Sequence, residues 1–251
     1  MRILYNSLKK RENAPPLLGC GFFFLFFLVT LLSSSWAQPP LLIYINTDES
    51  PQTIQDEFKA VVGDSDVLAF GRVRDLQQMI EEQPQAPVIA PGIFLELNTD
   101  YKVILRGLSK GNKGEKFYVI AKDNNVKASD LSELRTGILD FLGRRNIKDF
   151  LTSAFELDFN RIRRVNKRED LLTLLGMEAV DVIVVSESEL ALLKTETRLE
   201  LIPIAETKNL VANFPVLASA SGQVPTDLLN RIKKSNKTVF DILDIQQWGD
   251  K

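Results

Sequence analysis

From residue 41 onward, short apolar segments alternate with longer segments in which apolar side chains recur every three or four residues. The short segments have the length of buried strands and lie at 41–45, 67–70 and 87–90. The segments between them, 52–62 and 73–82, have the helical period, and Ser50-Pro51 is a typical helix start. This βαβαβ order predicts a parallel sheet covered by helices.

A second series of the same kind follows between residues 136 and 206. Its predicted strands are 136–139, 161–165, 180–185 and 199–204, and its predicted helices are 146–155, 168–177 and 187–194. Two further predicted strands, 101–108 and 116–122, flank the polar turn 110–114 and separate the two series. The tail is predicted to contain a strand at 214–219 and helices at 225–234 and 238–248.

Two α/β units joined by extended segments predict a two-lobed α/β fold, in which each lobe is a mostly parallel sheet flanked by helices. We expect lobe I to comprise residues 38–117 and 207–251, and lobe II to comprise residues 118–206. Hinges are expected near 122–123 and 206–210. A gap between such lobes is lined by the carboxyl ends of strands and the first turns of helices.

The first 37 residues have the three-part order of a secretory signal peptide. A basic stretch that ends at Arg11 is followed by an apolar run from Gly21 to Leu32 and by the small, polar segment 33–37. The run is shorter than the ~20 residues that a membrane-spanning helix needs. We therefore expect cleavage before Gln38 and a periplasmic protein, with an uncleaved anchor as the alternative.

Composition removes several kinds of chemistry. The chain has no histidine, which is the usual general base near neutral pH and the commonest metal ligand. Its one cysteine, Cys20, lies in the predicted signal peptide, so the exported part has no thiol and no disulfide. We expect a protein without catalytic residues, metal or cofactor. An enzyme that uses carboxylates or lysines is the alternative.

Charge points away from nucleic acids. Without the predicted signal peptide the chain has 27 basic and 32 acidic side chains, a net charge near −5. This balance does not imply the basic face that follows a nucleic acid backbone. A basic cluster at 161–168 is partly offset by Glu169 and Asp170, which favours a solvated face over a docking patch. We expect a monomer.

Four segments together are typical of one family. Residues 115–123 have the pattern of a strand that crosses between lobes, and 128–137 that of the segment after it. Residues 169–186 form a helix, glycine and strand block, and 214–219 a return strand. These segments resemble type 2 periplasmic solute-binding proteins, in particular the phosphate/phosphonate-binding family of ABC transport proteins. The resemblance implies a two-lobed fold, a small-molecule ligand and a membrane permease as partner.

The resemblance breaks at the ligand site of that family. Phosphonate-type binders have a Ser-Thr-Ser-like run at the helix start that follows the first strand of the second lobe. Here the corresponding residues, 140–146, include no hydroxyl side chain, and the histidine contact of the family is absent. The ligand residues of the family are therefore not carried over to this chain, and phosphonate is not implied as its ligand.

Candidate contacts come instead from positions after strands and at helix starts, where free N–H groups and the helix dipole favour anions. These candidates are Thr47, Ser50, Arg72, Gly92, Arg144, Arg145, Asn146 and Ser186. The arginines among them favour an anionic or zwitterionic ligand. Each candidate has a plainer alternative, because Ser50 and Ser186 fit helix caps, Gly92 fits a turn, and the arginines fit solvated side chains.

The sequence thus predicts an exported solute-binding protein that captures a small ligand between two lobes for an ABC-type uptake system. A different interpretation is a degenerate binding fold. Such a domain would serve a membrane-bound signalling protein as a periplasmic sensor or interaction module.

Overall fold

The computed structural model describes residues 39–63, 65–97 and 100–250. The predicted signal peptide, residues 1–37, lies outside these ranges. The segment Gln38–Lys251 forms one compact unit. Within the described ranges, no helix is both long and apolar enough to cross a membrane.

Strands and helices alternate along most of the described chain. The strands are β1 (Leu41–Tyr44), β2 (Val67–Phe70), β3 (Val88–Pro91), β4 (Lys102–Leu108), β5 (Phe117–Ala121), β6 (Arg135–Leu139), β7 (Arg161–Val165), β8 (Val182–Ser186), β9 (Ile202–Glu206), β10 (Pro215–Ser219) and β11 (Gln247–Asp250). The helices are α1 (Pro51–Val62), α2 (Val73–Glu82), α3 (Gly92–Glu96), α4 (Arg144–Phe155), α5 (Arg168–Gly176), α6 (Glu187–Glu196), α7 (Thr226–Lys233) and α8 (Lys237–Leu243). A short 3₁₀ helix covers Ala128–Asp130.

The strands form two sheets with the orders β11-β4-β10-β3-β1-β2 and β7-β6-β8-β5-β9. We call the first sheet with its helices lobe I and the second sheet with its helices lobe II. In lobe I, β10 lies antiparallel between β3 and β4, and in lobe II, β5 lies antiparallel between β8 and β9. The other strands of each sheet run in one direction, apart from β11 at the edge of lobe I. The predicted two-lobed α/β fold is confirmed.

This topology directs the strand ends toward the gap between the lobes. The chain enters lobe II through β5 and returns to lobe I through β10. Each reversed strand therefore begins at the gap, and the parallel strands beside it end there. The carboxyl ends of β1, β3, β6 and β8 consequently face the opposite lobe, as expected for a ligand site in an α/β fold.

Strand β1 shows why lobe I needs helices on both faces of its sheet. All its residues are buried. Leu41 and Ile43 pack in a cluster with α1, α7 and α8, whereas Leu42 and Tyr44 pack in a second cluster with α2. Because successive side chains point to opposite faces, a strand covered on both sides has no polar position. This is the unbroken apolar run that the sequence shows.

The second cluster continues into lobe II and gives the two lobes a shared core. The lobe II part of this cluster contains an aromatic group formed by Phe117 of β5, Phe141 after β6 and Phe150 of α4. The ring centroids of Phe150 lie 5.5 Å from those of Phe117 and Phe141, in edge-to-face geometry. Such pairs stabilise a core beyond the apolar area that they bury.

Two extended segments, 109–116 and 207–214, connect the lobes and pair with each other. The Glu115 N–H donates to the Val211 carbonyl at 3.0 Å, and the Val211 N–H donates back at 2.8 Å. Gly114 lies against the Val211 carbonyl, where a Cβ atom has no room. Residues 122–123, one of the two expected hinges, lie outside these connecting segments, because Lys122 follows the far end of β5 and pairs with Glu178.

The predicted helix at 238–248 is wrong in its second half. Helix α8 ends at Leu243, and Asp244 adopts a left-handed conformation with φ 51°, which aspartate tolerates better than most residues. The chain then forms β11, where Trp248 pairs with Gly107 of β4. The apolar residues of 238–248 fit a helical period, so the sequence pattern alone does not show the break.

The other predicted elements are confirmed with shifted ends. The largest shift among the strands is at β9, which begins at Ile202 rather than at Leu199. The short helix α3 was not predicted, because its residues follow β3 without any polar break.

Truncation of Phe150 tests the shared core. We expect Phe150→Ala to lower the free energy of unfolding by about 3–5 kcal/mol, the usual range for removing a buried phenyl ring. Urea unfolding followed by circular dichroism measures the change. The control is Asp149→Ala, because Asp149 is exposed on the same helix. Equal losses in the two variants would contradict the assignment of Phe150 to the core.

Candidate functional site

A cavity of about 880 Å³ lies between the lobes. Lobe I contributes residues along the length of α2 together with Phe94 of α3 and Leu97, and lobe II contributes the start of α4 and the ends of β6 and β7. The lining residues are Arg72, Val73, Arg74, Gln77, Ile80, Glu81, Phe94, Leu97, Asp140, Leu142, Gly143, Arg144, Arg145, Asn146, Arg164 and Asn166. Both lobes therefore share one candidate site, which we call the arginine cavity.

The arginine cavity has an excess of positive charge. Its arginines are Arg72, Arg74, Arg144, Arg145 and Arg164, and its acidic residues are Asp140 and Glu81. Arg164 forms an ion pair with Asp140. In the described part of the chain, the other four arginines form no ion pair. Since guanidinium groups stay charged at all ordinary pH values, the cavity has a formal charge of about +3.

Helix ends add to this positive potential. Gly143 precedes α4 with φ 79°, and neither a capping side chain nor an acidic residue is present in the first turn of that helix. Gly143 also faces lobe I, because a Cβ atom at this position would lie 3.6 Å from Oε1 of Gln77 in α2. Helix α2 begins after Arg72, again without a side-chain cap. The uncapped first turn of α4 therefore favours an anion in the cavity, whereas Asp75 in the first turn of α2 offsets the effect of that helix start.

One wall of the arginine cavity is apolar. Phe94 and Ile80 are largely buried, and Leu142 is fully buried. Leu97 stands out from this wall with 52% of its surface exposed. The cavity therefore combines cationic and apolar surfaces, as is typical of sites that hold an organic ligand.

Beside the cavity, polar contacts connect the strand ends of the two lobes. The Tyr44 hydroxyl at the end of β1 donates to the Asp140 carbonyl after β6 at 3.2 Å. The Asn46 amide donates to Oε1 of Glu189 in α6 at 2.8 Å. Arg168 of α5 forms an ion pair with Asp48. We call these three contacts the interlobe bridge, and they join the end of β1 and the loop after it to the end of β6 and the starts of α5 and α6.

Glu189 is the unusual group of the interlobe bridge. Its second carboxylate oxygen accepts from the Ser186 N–H at 2.8 Å. Desolvation raises the pKa of Glu189 from 4.5 to about 7, and the nearby charge of Glu115 adds to this rise, whereas the Ser186 N–H and Arg168 lower the pKa. Burial also raises the pKa of Tyr44, with a contribution from Asp140 and Glu189.

Glu115 connects the interlobe bridge to the two segments that join the lobes, 109–116 and 207–214, which we call the crossing segments. It is 5% exposed, and its carboxylate accepts from the Ser188 N–H at 2.8 Å and from the Asn213 amide at 2.7 Å. A buried carboxylate with two donors holds the start of α6 against both crossing segments.

The structure brings half of the predicted site residues together. Arg72, Arg144, Arg145 and Asn146 line the arginine cavity. Thr47, Ser50 and Arg72 line a neighbouring cavity of about 490 Å³, and Thr47 and Ser186 line a third of about 380 Å³. Gly92 is buried elsewhere.

Three of the predicted site residues have structural roles: two cap helices, and one lies where two backbone segments approach closely. The Ser50 hydroxyl accepts from the Thr53 N–H at 3.1 Å and caps α1. Ser186 forms a capping box with Glu189 at the start of α6. The Gly92 N–H donates to the Phe214 carbonyl at 3.0 Å, and a Cβ atom on Gly92 would lie 2.8 Å from the Ala212 carbonyl oxygen.

Sequence reasoning missed several residues of the site. Arg74 and Arg164 line the arginine cavity, and Tyr44, Asn46 and Glu189 form most of the interlobe bridge. Asn46 is the second residue after β1, so the rule that ligand contacts come after strands would have included it. Arg164 was part of the basic cluster that we interpreted as a solvated face.

No protein-family model and no curated protein sequence matches the chain. Solved structures, however, are similar in fold. The binding protein component of an ABC phosphonate transporter from Pseudomonas aeruginosa aligns with a TM-score of 0.61 and 14% identity, over 85% of this chain and 82% of that one. This chain has a periplasmic binding-protein fold.

Two further structures with this binding-protein fold align over most of their length. A Xanthomonas citri protein bound to ATP has a TM-score of 0.56 and 10% identity, over 85% of this chain and 91% of that one. The substrate-binding protein of an amino acid ABC transporter has a TM-score of 0.51 and 14% identity, over 81% of this chain and 98% of that one. At these identities the likeness is one of fold.

The raised pKa of Glu189 predicts a pH dependence of stability. A carboxyl group whose pKa is higher in the folded protein than in the unfolded chain makes the fold less stable as pH rises between the two values. We expect stability to fall by about 2 kcal/mol between pH 5 and pH 8, since each pKa unit corresponds to about 1.4 kcal/mol and the side chain is only partly buried.

Chemical unfolding at several pH values measures this dependence, and the absence of histidine keeps the window free of imidazole titration. We expect Glu189→Gln to flatten the profile, whereas Glu187→Gln, which alters an exposed residue of the same helix, leaves it unchanged. A Glu189→Gln profile as steep as that of the unsubstituted protein would show that another group titrates.

Proposed function

We propose that this chain is an exported solute-binding protein that captures a small anionic or zwitterionic ligand between its two lobes and does not catalyse a reaction. The observation that carries the proposal is the arginine cavity, to which both lobes contribute cations. A ligand that contacts Arg72 of lobe I and Arg144 or Arg145 of lobe II would connect the lobes. Its binding energy would then favour a closed arrangement.

The crossing segments supply a route for such a closure. We propose that lobe I comprises residues 38–117 and 207–251 and that lobe II comprises residues 118–206. Among the residues that the structure describes, only 109–116 and 207–214 pass between the two sheets, and they pair through Glu115 and Val211. Rotation about this paired connection moves α2 relative to α4 without disturbing either sheet, as in a hinge closure.

Export and transport complete the proposal. The signal-peptide pattern of residues 1–37 supports a periplasmic location. Two of the structures with this fold are binding components of phosphonate and amino acid ABC transporters, which supports an ABC permease as the membrane partner. A place near the phosphate/phosphonate-binding family remains part of the proposal and rests on the sequence segments described above.

The interlobe bridge favours a second candidate function. Tyr44, Asn46 and Asp48 of lobe I contact lobe II directly. A domain whose lobes are held together by direct contacts between protein side chains also suits a periplasmic sensor or interaction module of a membrane-bound signalling protein.

Removal of cavity arginines tests the proposal. Thermal-shift screening of the protein against phosphate, phosphonates, amino acids, polyamines and nucleotides should identify an anionic or zwitterionic ligand that raises Tm. We expect Arg144→Ala and Arg145→Ala each to weaken that ligand by roughly tenfold or more, since a charge-assisted hydrogen bond contributes about 1.5–3 kcal/mol.

The matched control is Arg163→Ala, because Arg163 is an exposed arginine on β7 that does not line the cavity. Equal weakening by all three substitutions would contradict binding in the arginine cavity. If no compound raises Tm and the protein co-purifies with a membrane kinase or cyclase, the sensor function is supported and solute capture is not.

A further inference from the structure

The arginine cavity is large for a single small anion. Its volume of about 880 Å³ lies in the range of about 300–1,000 Å³ that holds drug-sized organic ligands. The arginines come from three separate places, the start of α2, the start of α4 and the end of β7. An ion the size of phosphate contacts only a few of them at once and leaves the others unpaired.

Charge gives a second constraint. The cavity has a formal charge of about +3, and four of its arginines have no acidic partner in the described ranges. A ligand with one negative charge would leave most of this charge uncompensated. A ligand with three or four negative charges spread along its length would neutralise arginines of both lobes together, and charge-assisted pairs with phosphate oxygens are frequently bidentate.

The apolar wall gives a third constraint. Phe94 and Leu142 are buried behind the surface, and Leu97 is exposed beside them. An inorganic anion has nothing to place against this wall. A planar or apolar group covalently attached to the anionic part would cover Leu97 and remove its surface from water.

We propose that the ligand class of the arginine cavity is an organic polyphosphate, in which a chain of phosphates with three or more negative charges is attached to a planar or apolar group, as in a nucleoside triphosphate. This inference rests on the proposed function, because it names the ligand of the same cavity. It excludes free phosphate, monophosphates and amino acids as the main ligands.

Isothermal titration calorimetry of the full chain in buffer without divalent cations tests the inference. The probes are ATP, inorganic triphosphate, AMP, phosphate and adenosine. We expect ATP to bind roughly tenfold or more tightly than AMP, because AMP lacks two of the charged phosphates. Inorganic triphosphate should bind more weakly than ATP and more tightly than phosphate, and adenosine alone should not bind.

Two variants separate the charged and apolar contributions. Arg74→Ala should weaken ATP and inorganic triphosphate alike, by roughly tenfold. Leu97→Ala should weaken ATP by a few-fold and leave inorganic triphosphate unchanged, because it removes only apolar contact. Both residues have exposed side chains, so both variants are expected to fold, which circular dichroism verifies.

The possible failures are distinguishable. Equal affinities for ATP, AMP and phosphate would overturn the polyphosphate class while leaving anion capture intact. Equal affinities for ATP and inorganic triphosphate, or insensitivity of ATP binding to Leu97→Ala, would overturn the apolar part of the inference. If none of these anions binds, both the polyphosphate class and the proposed anionic ligand are wrong.

Discussion

Five arginines from the two lobes line one cavity, and the contacts that hold the lobes together must offset the mutual repulsion of these arginines. At an effective dielectric constant of about 20, two like charges about 8 Å apart repel by about 2 kcal/mol. The ion pair between Arg164 and Asp140 compensates one of the five cations. The others line both sides of the gap, and the interlobe bridge together with the apolar cluster that both lobes share holds the lobes together. An anion bound in the cavity would neutralise these arginines and remove the repulsion between them.

Topology explains why the cations meet at that place. Strands β5 and β10 enter their sheets from the gap, so the parallel strands beside them end at the gap and their following helices begin there. Helix starts and strand ends of both lobes therefore lie close together in space, although they are far apart in the sequence. The crossing segments, which pair through Glu115 and Val211, link the two lobes in this arrangement.

Most of the fold was predictable because apolar periodicity reports burial on one or both faces. Strand β1 and helix α2 are examples, since every buried position of β1 and the face of α2 formed by Val73, Leu76 and Ile80 are apolar in the sequence. The end of α8 was not predictable in this way, because a helix and a strand both place Ile245 and Trp248 against apolar neighbours. Only the left-handed turn at Asp244 distinguishes them.

The candidate site was predictable to the extent that it follows from strand ends and helix starts. That rule found Arg72, Arg144 and Arg145, which the structure places around one cavity. It did not find Arg164, whose side chain reaches the cavity from the end of β7, or Glu189, which is desolvated by burial and accepts from Asn46 of the other lobe. Contacts between lobes depend on how two sheets face each other, and this information is not local in the sequence.

Native mass spectrometry of protein recovered from its own compartment tests most directly whether the arginine cavity holds an anion between the lobes. The account predicts that the unsubstituted protein carries a small anionic molecule, and that a variant with Arg144→Ala and Arg145→Ala has lost it while the Arg163→Ala control retains it. A bound anion that persists in the double variant, or a protein that is empty even when recovered from that compartment, would contradict the account.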